Sequence, residues 1–244
     1  TKIPRDNVAA AMSALVLFAF GLEGFASQPA ESPRIHVDTL LKAPEGQHWM
    51  QVRAGVIPPG EPGASPRRPL VVMVMQLHEN EGTHTYHGLS SMWTDDLGET
   101  WNGPFKQLTL DRRRHENGLI EVPVDTTPQW HSATSKLLLT GATFWLDLKL
   151  NRDVSGGPSD TAYSAYDPVE HGWSEWQKLV MPDDPRFRYS RAGNTQRVEL
   201  PNGEILLPVY FGEHNNSIHY STIVRCQFDG KTLKYLEHGD EMVI

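Results

Sequence analysis

This sequence predicts an all-β fold, a β-propeller of four-stranded blades, and three observations predict it. Runs rich in Val, Leu, Ile and aromatic residues stand at 69–77 (PLVVMVMQL), 136–146 (KLLLTGATFWL) and 204–212 (EILLPVYFG). That make-up suits a pleated, buried strand. The runs start at residues 69, 136 and 204, so they recur every 67 or 68 residues. Each is followed by a polar loop and a second run ending in aspartate: LSSMWTDD, TAYSAYD or STIVRCQFD. A period of this size points to a radial or stacked array of repeats. Four antiparallel strands per repeat specify a propeller blade. An irregular β-sandwich with coincidental spacing is the alternative architecture.

The elements follow in order. At the start, TKIPRDN carries Lys2 and Arg5, and VAAAMSALVLFAFGL is an apolar run of 15 residues before Gly24 and Ala26. A positive start, a short apolar core and small residues fit a secretory signal peptide. The run is short for a membrane span. Residues 1–27 are therefore expected to be removed on export, to the exterior or the periplasm, leaving a domain over 28–244 with no stable membrane span. Each repeat then reads as a first strand and turn, the strong strand, a loop, the Asp-ending strand, and a last short strand. The first strands are WMQVRAGVI, PQWHSA and NTQRVEL, and the last are WNGPFKQL, WSEWQKLVM and TLKYLEHG.

Composition narrows the partners. The chain of 244 residues carries a net charge of -8, so whole-molecule attraction to nucleic acid is not expected. Cys226 is the single cysteine, which excludes an intrachain disulfide and a cysteine metal cluster. Twenty glycines and 18 prolines suit a turn-rich β protein.

TDDLGETW (94–101) lies between the third and fourth strands of the first repeat. It fits Ser/Thr-x-Asp-x-Gly-x-Thr-Trp at Thr94, Asp96, Gly98, Thr100 and Trp101. Gly98 gives the backbone freedom of a tight turn, Asp96 can accept from turn amides, and Trp101 can pack as an apolar plug between neighbouring sheets. The later repeats keep weaker versions, SAYDPVEHGWSEW and CQFDGKTL. This motif is the Asp box. With the four-stranded repeats it resembles the sialidase-like (BNR/Asp-box repeat) superfamily of β-propellers, and QRVELPNGEILLPVYF is similar to secreted, uncharacterised members. The resemblance covers roughly 35–244. It implies six blades, of which about three are present, so a partial propeller is expected.

In an up-and-down blade, the Asp-box turns and the turns after the first strands share one face. The loops after the strong strands lie on the other, where function is expected. Those loops carry His78, Glu79, Glu81, His84, Tyr86 and His87; Asp147, Lys149, Arg152, Asp153 and Asp160; and Glu213, His214, His219 and Tyr220. The first strands add Arg53, His131, Gln196 and Arg197. Arginine grips a carboxylate in a two-pronged fork, and histidine or a carboxyl group can move a proton. Catalytic candidates are His131, Glu79 and Glu81; substrate-binding candidates are Arg53, His87, Gln196, Arg197 and Glu213. Arg53, His131 and Arg197 are expected on one concavity opposite the Asp-box turn. His78, Glu79, Glu81 and His84 are ligand-type residues, yet their spacing matches no firm zinc motif, so neither metal nor cofactor is expected. DRRRHENG (111–118) reads as a solvated connector.

The resemblance adds specific expectations. Sialidases place three arginines on the substrate carboxylate, an aspartate as acid/base, and a tyrosine paired with glutamate. Arg53 stands where the first arginine would, although VRAGVI lacks Arg-Ile-Pro, and Arg197 is a candidate second. No aspartate occurs in HENEGTHTYHG, where Glu79, Glu81 or a histidine would substitute. The expected function is an exported sialidase-like glycoside hydrolase acting on acidic glycans. A propeller polysaccharide lyase using His or Tyr with Arg on uronates, and a non-catalytic carbohydrate-binding propeller, are the alternatives.

Overall fold

A computed structural model describes residues 37–79, 85–147, 152–154, 158–214 and 218–244. The expected export segment lies outside these residues, as do Glu81, His84 and Lys149. The fold is all-β and propeller-like, and three antiparallel sheets follow one another along the chain. The first blade is β1 (Gln47–Ile57), β2 (Leu70–Glu79), β3 (Tyr86–Thr94) and β4 (Asn102–Lys106), hydrogen-bonded in that order. The second contains β5 (Arg113–Arg114), β6 (Ile120–His131), β7 (Lys136–Asp147), β8 (Arg152–Asp153), β9 (Thr161–Asp167), β10 (Gly172–Trp173) and β11 (Gln177–Lys178). Its spine is β6-β7-β9, with β10 and β11 both on the outer edge of β9 and β5 on the far side of β6. The third contains β12 (Tyr189–Arg191), β13 (Val198–Glu199), β14 (Glu204–Gly212), β15 (Tyr220–Phe228), β16 (Leu233–His238) and β17 (Met242–Val243). Here β12 and β13 together take the place of one inner strand along β14.

The core lies between blades. One apolar cluster joins Ile57, Leu70, Val72 and Val74 of the first blade to Leu137, Leu139, Tyr166, Trp173 and Trp176 of the second. Another joins Leu138, Tyr163 and Leu179 to Ile205, Leu207, Val224 and Phe228 of the third. Leu137 and Leu138 are neighbours in β7 and point to opposite sides, as alternation along a strand requires. A central blade is thus apolar on both faces, which is why KLLLTGATFWL reads as a continuous hydrophobic run. The expected plug, Trp101, is only half-buried and lies over Gly98 of its own turn. Trp173 and Trp176 fill the inter-blade position instead, because β9 and its outer strands carry them into the first cluster.

The blades share a polarity. Glu61, after β1, accepts a hydrogen bond from Ser135 Oγ, after β6, at 3.1 Å. A Cβ on Gly203, before β14, would sit 2.7 Å from that of Ala133. The turns after the inner strands therefore lie together at one end, the turn end. The 94–101 turn lies there too, because β3 runs antiparallel to β2. In it Thr94 Oγ1 donates to Asp96 Oδ1 at 2.7 Å, while Thr100 N and Oγ1 donate to the same carboxylate at 2.9 and 2.6 Å. Leu97 and Gly98 take φ of 64° and 93°, conformations that favour glycine. Asp167 and Asp229 repeat the device, accepting from the amides of Val169 and Glu170 and of Lys231 and Thr232. The C-terminal ends of β2, β7 and β14 lie at the opposite end, the loop end.

Each inner strand is broken near its middle by one non-glycine residue in the left-handed region: Gln51 (φ 54°), Asp125 (φ 54°) and Asn194 (φ 57°). In β1 and β6 these residues sit at bulges. In the third blade the break is larger and separates β12 from β13. NTQRVEL is therefore not a continuous strand. Its expected role is shared by YSR at the loop end and VE at the turn end. The 111–118 connector departs from expectation in part. Arg114, Glu116, Asn117 and Gly118 are exposed as expected, but Arg113, still partly exposed, stacks its guanidinium 3.6 Å above the Trp176 ring, and Arg112 donates to the Tyr86 carbonyl, so these two also serve the packing.

Candidate functional site

One group of side chains lies at the mid-strand breaks, and two stand above it at the loop end. The first is built by the inner-strand breaks. Gln51 Nε2 donates to Asp125 Oδ1, and the Asp125 amide donates back to Gln51 Oε1 at 2.8 Å. The Asn194 amide donates to the Asp125 carbonyl at 2.9 Å. Arg53, exposed on β1, reaches past β6 and donates to Asn194 Oδ1 at 3.2 Å. Side chains from three blades thus meet where their inner strands bulge.

The second group surrounds Arg191. Its Cζ lies 4.7 Å from the Tyr189 ring, 4.9 Å from Phe144 and 5.0 Å from Tyr210. These are cation–π distances. Its Nε donates to the Tyr210 hydroxyl at 2.5 Å, and Nη2 also donates there. Among the described residues no carboxylate pairs with it. Tyr189 stacks on His219 at 5.3 Å. On the other side Phe144 lies 5.2 Å from Tyr86, which meets His78 edge-on at 4.4 Å. An aromatic row therefore crosses the loop end from the first blade to the third.

The third group ends β2. His87 Nε2 is 2.5 Å from Glu79 Oε1, and Gln47 Nε2 donates to the same oxygen at 3.0 Å. These hydrogen bonds, from His87 first and then Gln47, hold the Glu79 carboxyl below its ordinary pKa, and the nearby Arg112 charge acts in the same direction. Burial of Arg112 lowers its own pKa, opposed by Asp111 and Glu79. A fourth charged set stands on the rim of the second blade. Buried Glu121 pairs with Lys178 at 2.7 Å and His115 at 3.2 Å, and Lys178 also pairs with Asp160 at 2.9 Å. Burial works against the Lys178 charge, but its bonds to Glu121 and Asp160 win and raise the pKa.

The structure separates the expected trio. Arg53 is at the inner-strand junction. His131 closes β6 at the turn end and is fully buried. Its Nδ1 is 2.7 Å from Thr134 Oγ1 and its Nε2 is 2.9 Å from the Gly203 carbonyl. With both ring nitrogens engaged, it fastens the second blade to the third. Arg197 is 3% exposed. Its guanidinium donates to the carbonyls of Leu138 at 3.0 Å and Gln129 at 2.6 Å, and burial pulls its pKa down to about 10. The single concavity holding all three is corrected: Arg53 belongs to the inner-strand junction, and the other two are inter-blade fasteners. Gln196 is exposed between β12 and β13, and Glu213 is exposed at the start of the loop after β14. Glu79 and His87 are brought together, with His87 on β3 itself rather than in the loop before it.

Gln51, Asp125, Arg112 and Arg191 were not among the sequence candidates. For Arg191 the one available signal was the tripeptide Arg-Ala-Gly, which occurs at 53–55 and again at 191–193. Asp125 is hidden in VPVDTTPQW, where nothing marks a bulge. Among the described residues no group of three or more His, Cys, Asp or Glu side chains is arranged to hold a metal. No helix there is long and apolar enough to cross a membrane.

No protein family and no curated protein matches the chain. Among solved structures, one described as "Hadza microbial sialidase Hz136" has a similar fold, with a TM-score of 0.53 over 78% of this chain at 12% identity. The chain spans 38% of that protein's length. At that identity the likeness is one of fold.

Proposed function

We propose that the loop end binds the acidic sugar of a glycan, and that the chain carries the glycoside hydrolase chemistry of an exported, sialidase-like protein. The observation that supports this best is the pair Arg53 and Arg191. In a chain of net charge -8, Arg191 stands on the loop-end half of its inner strand and Arg53 just past the mid-strand break of β1, and neither has a carboxylate partner among the described residues. Arg191 is set among aromatic rings, where its charge is poorly screened. Among the described residues, Arg53 is steadied by Asn194 and its own strand alone. A ligand carboxylate would supply the missing anion. The amide and carboxylate groups of Gln51, Asp125 and Asn194 offer partners for sugar hydroxyls, and the aromatic row offers ring faces. The fold-level likeness to a sialidase raises the expectation for this chemistry without assigning it.

Calorimetry tests the reading directly. Free N-acetylneuraminate and glucuronate should bind, and galactose should bind at least tenfold more weakly. Arg191→Ala or Arg53→Ala should weaken the acids by about 1.5–3 kcal/mol, as for a hydrogen bond to a charged group, and leave galactose unchanged. Equal losses for acidic and neutral sugars would reject carboxylate recognition.

A further inference from the structure

We propose that His87, held by Glu79, is the group that passes a proton to the leaving oxygen of the glycan, in place of a carboxylic acid. The inference rests on the glycan reading above and concerns the same end of the molecule. Three observations carry it. First, the pairing is tight and anchored from three strands. Glu79 ends β2, His87 is the second residue of β3, and Gln47 of β1 fixes the same carboxylate oxygen. The Glu79 amide is tied to Thr85 Oγ1 at 3.0 Å, which fixes the strand end that carries the pair.

Second, Glu79 is the wrong group to give a proton itself. Its hydrogen-bond partners favour the ionised form, so at neutral pH it is an acceptor. Arg112, the remaining charged group beside it, comes from the connector after β4 and adds to that preference. Tyr86, from β3, contributes its backbone carbonyl to Arg112 rather than a charge to the pair. A fixed carboxylate beside an imidazole orients the ring. Third, Nε2 is the ring atom engaged by Glu79, while Nδ1 has no partner among the described residues. Both side chains remain about one-third exposed, 34% for His87 and 36% for Glu79, so the pair is reachable from solvent.

The step balances as follows. The imidazolium gives its Nδ1 proton to the glycosidic oxygen as the bond from that oxygen to the anomeric carbon breaks, the electron pair staying with the oxygen. Water then adds to the anomeric carbon and returns one proton to the ring, for a net consumption of one water. Glu79 changes neither bonds nor charge; it is a positioning residue.

The experiment compares two leaving groups on each sugar acid: 4-methylumbelliferyl and lactosyl glycosides of N-acetylneuraminic acid, and 4-methylumbelliferyl and alkyl glycosides of glucuronic acid. A methylumbelliferyl phenolate leaves without a proton, whereas a sugar or alkoxide leaving group needs one. His87→Gln should therefore lose 100-fold or more in kcat on the lactosyl or alkyl glycoside, the scale of general acid catalysis, and less than tenfold on the aryl glycoside. Glu79→Gln should lower kcat more on the lactosyl or alkyl glycoside than on the aryl glycoside, because the imidazole loses the carboxylate that orients it. Thermal melting and calorimetry with the free sugar acids establish that both variants fold and bind. Wild-type turnover of either acid with equal losses on both leaving groups, in His87→Gln or in Glu79→Gln, would overturn the proposal while the hydrolase reading stands. Binding by the wild type without turnover of any of the four glycosides would overturn the hydrolase reading, and the proton-transfer role with it.

Discussion

Asp96 accepts three hydrogen bonds from Thr94 and Thr100, and those from Thr100 contribute most to holding its carboxyl well below the ordinary carboxylate range. A carboxylate whose folded pKa is depressed adds stability that is present above its unfolded value and is lost as pH falls through the folded one. Asp167 and Asp229 are depressed in the same direction, Asp167 chiefly by Lys136 and Asp229 chiefly by the Thr232 amide. The melting temperature should thus be flat near neutrality and fall from about pH 4 downward. Asp96→Asn should melt lower at pH 7 and show a shallower acid slope; a slope equal to wild type would assign the acid sensitivity elsewhere. Arg197 makes a separate case. Its guanidinium is buried among main-chain carbonyls of β6 and β7, so Arg197→Met leaves those acceptors unpartnered. A loss of about 3 kcal/mol in urea unfolding is expected, with sugar-acid binding by the folded fraction unchanged.

Among the elements, β1 shows how closely the inner strands are fitted. A Cβ on Gly55 would lie 2.7 Å from Leu137 Cδ1 and 2.9 Å from the Pro128 carbonyl oxygen. Gly55→Ala must push β1 away from β6, at a cost of about 1–3 kcal/mol, and should disturb Arg53 two residues away. Denaturant unfolding and sugar-acid titration of that variant test both effects. The same element shows what the sequence made legible. The composition and spacing of VVMVMQL, LLLTGATFWL and EILLPVYF gave the strong strands, since burial on both faces of β7, and chiefly on one face of β2 and β14, leaves a composition that can be read directly. The Asp-box spacing marked the turn end, and with it the end to search. Histidine and arginine roles were not legible in the same way. His131 and Arg197 have the residue types of a site, but strand direction sends them to the other end, and only carbonyls placed by neighbouring blades show what they do. Arg191 escaped because the third inner strand is split by its break at Asn194, so its first half was not recognised as strand.

At the scale of the molecule, the apolar clusters belong to pairs of blades rather than to single ones, which couples neighbours as in any stacked array. Trp176 is a sensitive point. It is 1% exposed, its Nε1 donates to the Asp111 carbonyl at 3.0 Å, and Arg113 caps its ring. Trp176→Ala should cost about 3–5 kcal/mol. Unfolding followed by tryptophan fluorescence and by far-ultraviolet circular dichroism should give one coincident transition in the wild type; two separated transitions would show that the blades melt independently. The one cysteine bears on handling of the protein. Cys226 is fully buried and its thiol is pushed up to about 12 by desolvation, so thiol reagents should ignore the native protein. Lys231 is exposed in the turn between β15 and β16, and only its backbone amide takes part in that turn. A cysteine introduced at this position would be the sole reactive handle. Coupled to a maleimide surface, every molecule would stand with its loop end outward, so a glycan array or optical biosensor would sample one face in a uniform orientation.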